Sequence, residues 1–208
     1  MLSTSQLGYQ YPNSKMIHFP DFVLGTNEHC LILGESGCGK TTLLHLLAGL
    51  RTPSQGEILY NNQSLDPLSS SDRDIFRGKN MGVVFQSSAF ISSLSVLENL
   101  MMPLMLSGKI QDENKAKELL SIVNLDHKIQ KPIGELSIGE QQRVSIIRSV
   151  IHGPKWVLAD EPTSALDNKN AESVIELLTS ITRANNASLI VVTHDHRWNQ
   201  AISHTIKL

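Results

Sequence analysis

The apolar positions of this chain fall into two alternating patterns. HCLIL, MGVVFQ, KWVLAD and ASLIVVTHD are short apolar runs without polar alternation, as expected of strands buried on both faces. GEILYNN, after a turn, reads as a further strand, and the polar stretch SLDPLSSSDRDIFRGKN follows it. Helical periods separate the runs. TTLLHLLAGL suits a buried helix ending near Gly49. In DENKAKELLSIVNL, Ala116, Leu119, Leu120 and Val123 fall at i, i+3, i+4 and i+7, with Glu113 and Lys117 paired on the outer face. GEQQRVSIIRSVIHGP repeats the pattern with Val144, Ile147 and Ile151 and stops at Gly153 and Pro154. NKNAESVIELLTSITRANN carries a stripe of Ala171, Val174, Ile175, Leu178 and Ile181. Strands alternating with helices predict an α/β protein whose parallel sheet is covered on both faces.

The mostly helical block from about 87 to 152 reads as a lobe inserted into a core formed by 1–86 and 153–208, so that 1–208 is one composite domain. With 208 residues and 40% hydrophobic composition the chain can bury one substantial core. Eighteen basic against twenty acidic side chains give a net charge of -2, which provides no global attraction for nucleic acid or an anionic membrane. The first fifteen residues lack the pattern of a signal peptide. The uncharged run from Asn80 to Leu97 is too polar to span a bilayer, so a soluble protein is expected. Two cysteines, Cys30 and Cys38, suit a reducing compartment rather than a disulfide framework.

The chemistry begins at GESGCGKTT, Gly34 to Thr42. Gly34, Gly39, Lys40 and Thr41 fit the P-loop spacing, in which backbone N–H groups curl around a phosphate, Lys reaches the β- and γ-phosphates and Thr offers its hydroxyl to Mg²⁺. The apolar strand before it and the helix after it supply the required context, with the helix N-terminus aimed at the anion. Cys38 either has a lowered pKa at that helix start or fills a tolerant loop position.

KWVLAD ends in Asp160, placed to hold Mg²⁺, and Glu161 follows as the candidate base for an attacking water. His194 ends the last buried strand, where an imidazole can meet a γ-phosphate. LSIGEQQR places Ser137 and Gly139 at a second phosphate-facing helix start. One nucleotide can use both helix starts if two copies of the chain sandwich it head to tail by two-fold symmetry.

GESGCGKTT, Gln86, LSIGEQQR, WVLADEPTSALD and VVTHD stand in the order and spacing of the ATP-binding cassette (ABC) ATPases, which the chain resembles over nearly its whole length. The resemblance implies a P-loop NTPase with a mainly parallel RecA-like core, an N-terminal antiparallel β portion and an inserted helical subdomain. It makes the loop residues Gly34, Glu35, Ser36, Gly37, Cys38, Gly39, Lys40, Thr41 and Thr42 nucleotide contacts. Asp160 becomes the Walker B acid, Glu161 the catalytic glutamate, His194 the switch histidine, and Gln86 a Mg²⁺ ligand that also senses a transmembrane partner. Ser164 to Asp167 resembles the loop that crosses the dimer interface, with Asp167 near nucleotide. Tyr11 is similar in placement to the aromatic that stacks on adenine, with Tyr9 as the alternative.

The usual LSGGQ signature is altered by Ile138 and Glu140. Glu140 either repels the phosphate or sits favourably at the helix N-terminus. The ending of MGVVFQSSAFISSLSVLENLMMPLML resembles cassette subunits of the lipoprotein-releasing, macrolide-export and cell-division group. There Met101, Met102 and Met105 either line a groove for a permease helix or fill the core.

The implied protein is an ATPase that binds ATP and Mg²⁺ and closes as an ATP-dependent homodimer. It would lie on the cytoplasmic face of a membrane and energise an integral-membrane permease, with no nucleic acid as partner. The competing readings are a soluble cassette in a non-transport process, a small-molecule kinase, which would leave LSIGEQQR unexplained, and a binding-only subunit, against which Glu161 argues.

Overall fold

The computed structural model of the protein describes residues 1–87, 89–164 and 166–208. The apolar runs line up in one parallel five-stranded sheet ordered β10 (Thr205–Lys207), β4 (His29–Leu33), β9 (Ser188–Thr193), β8 (Trp156–Asp160) and β7 (Met81–Val84). Successive side chains leave opposite faces. Ile32, Leu158, Ile190 and Val192 enter one core, and Leu31, Val157, Leu189 and Val191 enter the other. The central strands β8 and β9 are buried on both faces along their whole length, which explains their lack of polar alternation.

The first core is closed by α1 (Lys40–Leu47) and by a second, antiparallel sheet. In that sheet β1 (Leu2–Tyr9) pairs with β2 (Ile17–His18), β3 (Val23–Leu24) and β5 (Gln55–Tyr60), and β6 (Gln63–Ser64) lies beyond β5. GEILYNN is therefore a strand as expected, in the antiparallel portion. The other core is filled by α3 (Val96–Leu106), α4 (Glu113–Ile122), α5 (Ile138–Val150) and α6 (Asn168–Ala184).

All five stripe residues of α6 are buried. Each large one contributes about 1.5–3 kcal/mol against a few tenths for a surface charge pair, so the stripe fixes the helix on the sheet. Gly82 lets α5 settle directly on β7, since a Cβ there would stand 1.8 Å from the Ser149 carbonyl oxygen.

One helix departs from the sequence reading. The polar stretch after β6 contains α2 (Ser70–Asn80), none of whose residues is buried. A cap supports it, Ser69 Oγ accepting from Asp72 N–H at 3.1 Å, and the Phe76 ring packs against Tyr60 and Trp156.

The register positions the site. Leu33 pairs with Thr193, Asp160 with Val192 and Val84 with Ala159, so the chain leaves β4, β9, β8 and β7 along one edge. Gly34, His194, Glu161 and Phe85 are the residues that emerge there.

Candidate nucleotide-binding and catalytic site

A cavity of about 740 Å³ opens at this carboxyl edge. The residues 34–39 turn sharply from β4 into α1, with Gly37 at φ 83° and Gly39 at φ 102°, conformations open to glycine. Glu35, Ser36, Gly37, Gly39, Lys40, Thr41 and Thr42 line the cavity together with Tyr11, Ile17, Gln86, Glu161 and His194. Cys38 faces elsewhere: its Sγ would lie 2.4 Å from a Cβ on Gly34, so the thiol packs against the loop. Cys30 is also free, and burial pushes its thiol up to about 12.

Lys40 is buried, and its ammonium donates to the Gly34 and Glu35 carbonyls at 2.8 Å each. It also stands 3.6 Å from Glu161 Oε1. Glu161 is held from several sides. Thr193 Oγ1 donates to Oε2 at 2.7 Å, His194 N–H reaches the same oxygen at 3.4 Å, and His194 Nδ1 lies 2.9 Å from Oε1. The Glu161 N–H donates to Val192 O at 2.9 Å while its φ is 45°, a left-handed conformation that non-glycine residues rarely adopt. The His194 side chain is 65% exposed toward the cavity mouth.

Asp160 is buried at 3% exposure, and its Oδ1 has no hydrogen-bond partner. Burial raises its pKa above the usual carboxylate value, the Thr41 hydroxyl opposes that shift and Glu161 adds to it. An orphaned carboxylate oxygen beside a hydroxyl fits a hard cation such as Mg²⁺, which keeps several ligands from water and phosphate. No cluster of three His, Cys, Asp or Glu among the described residues could hold a metal alone. Asp160 and Thr41, with Gln86 at the cavity wall, are the residues that would hold the ion.

Tyr11 lines the cavity and its hydroxyl lies 2.9 Å from Thr42 Oγ1, whereas Tyr9 is not in the lining. Ser137, Gly139 and Glu140 form the first turn of α5 and are absent from this cavity. Ser137 caps the helix, accepting from Glu140 N–H at 3.3 Å, and a Cβ on Gly139 would stand in ordinary contact with Arg143 Nη1 at 3.8 Å. Ile138, 69% exposed, lines a smaller cavity of about 200 Å³ that shares Gln86 and Glu161 with the larger one. Asp167 is an exposed N-cap of α6 that accepts from Asn170 N–H at 3.0 Å. Within the stretch Ser164 to Asp167, Ala165 lies outside the described residues.

Two groups escaped the sequence reading. Thr193 orients Glu161 from the neighbouring strand end, and the hydroxyl before His194 in VVTHD was its only signal. Gln142 Nε2 donates to Pro162 O at 2.9 Å, tying α5 to the turn after Glu161.

A profile of the ABC transporter family matches residues 18–164. Among solved structures, the dimeric post-hydrolysis state of the ATP-binding cassette MJ0796 bound to ADP and Pi superposes with a TM-score of 0.90 at 30% identity, over 100% of this chain and 94% of that one. The dimeric structure of MJ0796, a bacterial ABC transporter cassette, gives the same values, a TM-score of 0.90 at 30% identity with 100% and 94% covered. A chain of an ABC transporter in an inward-facing conformation gives a TM-score of 0.81 at 30% identity, with 100% and 79% covered. The ordered motifs, the shared edge of the sheet and these likenesses converge on one conclusion: the chain belongs to the ABC transporter family.

Proposed function

We propose that the protein is the ATP-binding and ATP-hydrolysing subunit of an ABC transporter, working as an ATP-dependent head-to-tail homodimer. One observation carries the reading: Lys40, Glu161 and His194 meet at one cavity beside a buried Asp160 whose Oδ1 lacks a partner. Lys40, tied to two loop carbonyls, is poised to exchange them for phosphate oxygens. Glu161 accepts a proton from the attacking water, and Thr193 and His194 fix its carboxylate. His194 meets the γ-phosphate through its exposed ring. Asp160 and Thr41, with Gln86, would hold Mg²⁺, which would supply charge stabilisation for phosphoryl transfer.

Ser137, Gly139 and Glu140 lie outside the cavity of their own chain, which supports their use by the nucleotide of a second copy, with Asp167 at the same interface. The MJ0796 cassette is likewise dimeric in its post-hydrolysis state with ADP and Pi. Residues 87–152 act as the helical subdomain that carries Ser137 toward the partner, against a core of 1–86 and 153–208.

The partner we propose is an integral-membrane permease, which places the subunit on the cytoplasmic face of its membrane. No helix among the described residues is long and apolar enough to cross one. A groove of about 620 Å³ with a mainly apolar lining includes Leu50, Ile75, Phe85, Ile91, Met102 and Leu106. Met102 lines it, while Met101 is buried in the helical core. Phe85 in the groove and Gln86 in the nucleotide cavity are consecutive, which supports coupling between the two. The ENL and MPL segment favours an export or force-transmitting permease.

The test is phosphate release and size-exclusion chromatography on purified protein. Glu161→Gln accumulates an ATP-bound dimer with hydrolysis lost, and Lys40→Ala stays monomeric. Equal turnover in wild type and Glu161→Gln removes the assigned base.

A further inference from the structure

Beside Tyr11, outside the nucleotide cavity, lies a cation that the catalytic reading does not use. Arg51 follows the C-terminal end of α1, its N–H donating to the His45 carbonyl at 3.2 Å. Its guanidinium carbon stands over two rings, 5.0 Å from the Tyr11 centroid and 5.4 Å from that of Tyr9. Arg51 Nη1 also donates to the Tyr9 hydroxyl at 2.8 Å. The two tyrosines meet edge to face with centroids 4.9 Å apart. Among the described residues Arg51 forms no ion pair, so its charge is directed to the rings.

Tyr11 is thereby held by three contacts. Its hydroxyl is bonded to Thr42 on α1, its ring is braced by Tyr9 and Arg51, and it still lines the cavity, whereas Arg51 and Tyr9 do not. A cation over an aromatic ring draws on its negative quadrupole. A π-rich base stacked on that ring then meets less repulsion. A ring already immobilised also loses less freedom when a ligand stacks on it.

We propose that Arg51 is a positioning residue for the nucleobase, acting through Tyr11 so that cation, tyrosine and base form three successive layers. The inference rests on the nucleotide reading above and adds to it a base-recognition element that the phosphate loop does not contain.

The test is calorimetric binding of ATP and of inorganic tripolyphosphate, each with Mg²⁺, to the full chain and to Arg51→Met, Arg51→Lys and Tyr11→Ala. Tripolyphosphate engages the phosphate loop but has no base. Arg51→Met is expected to weaken ATP about three- to fivefold and leave tripolyphosphate unchanged, with Arg51→Lys between the two proteins. Tyr11→Ala should weaken ATP alone and make a second change at Arg51 silent. A role in the fold only would lower both affinities together, which overturns the proposal. So does an unchanged or higher ATP affinity in Arg51→Met. If Tyr11→Ala spares ATP, the base lies elsewhere and the proposal falls while the catalytic reading stands. A wild-type chain that binds neither ligand overturns both.

Discussion

Lys128 Nζ lies 2.6 Å from Glu140 Oε1, while Oε2 of the same carboxylate accepts from the Ser137 N–H at 3.0 Å and its hydroxyl at 3.1 Å. The acid that replaces the usual glutamine is therefore paired with a cation and folded back on its own helix start, and these contacts hold its pKa down to about 2. Of the two roles open to Glu140, the structure favours the helix cap over repulsion of phosphate.

Removing the cation should expose that charge at the proposed dimer interface. In a Glu161→Gln background, Lys128→Met is expected to raise the ATP concentration for half-maximal dimerisation about three- to tenfold, because a surface pair is worth up to about 1 kcal/mol and the dimer has two. Adding Glu140→Gln should restore it. Light scattering against ATP concentration measures both, and no rescue by the second change would refute charge compensation.

Thr193 is expected to affect turnover rather than binding. Thr193→Val removes the 2.7 Å hydrogen bond to Glu161 Oε2 and leaves a buried carboxylate oxygen less satisfied. Steady-state phosphate release should fall about tenfold in kcat, from the loss of a charge-assisted bond, with KM for ATP little changed. The reverse split would place Thr193 in substrate binding instead.

Acid should destabilise the fold through His152. Its ring is 3% exposed, Nε2 lies 3.0 Å from the Met81 carbonyl oxygen and so carries the proton, and Nδ1 has no partner. Burial lowers its pKa from 6.5 to about 4. A base whose folded pKa is depressed contributes stability that is complete above the unfolded pKa and lost as pH falls through the folded one. The loss between pH 6.5 and 4 amounts to as much as about 3 kcal/mol. Urea unfolding at stepped pH should show this slope in wild type and a shallower one in His152→Gln.

Gly82→Ala should separate α5 from β7. The added Cβ would meet a backbone oxygen at 1.8 Å, and neither element can turn aside as a flexible side chain would. A loss of about 3 kcal/mol or more is expected, seen as a lower melting temperature or an insoluble product. An undisturbed melt would mean that the helix can lift from the sheet at little cost.

The sequence displayed the parallel sheet because its strands are buried twice over, and the helix stripes because each faces a core. It concealed α2, which is supported by one cap and by the packing of one aromatic ring on Tyr60 and Trp156 rather than by a buried face. Lys40, Asp160, Glu161 and His194 were legible because each sits in a local motif. Thr193, Arg51 and Lys128 were not. Thr193 acts through the register of two strands, Arg51 reaches Tyr9 across 42 positions and Lys128 reaches Glu140 across 12, distances over which spacing carries no signal.

The left-handed backbone at Glu161, with φ 45°, ties stability to chemistry at one codon. An L-residue there carries a penalty of about 1 kcal/mol or more that glycine avoids. Glu161→Gly would release that strain but forfeit the Thr193 and His194 contacts and leave buried Lys40 without its carboxylate, so it should turn over nothing and gain no heat tolerance: the side chain that the chemistry needs also holds its own backbone in place.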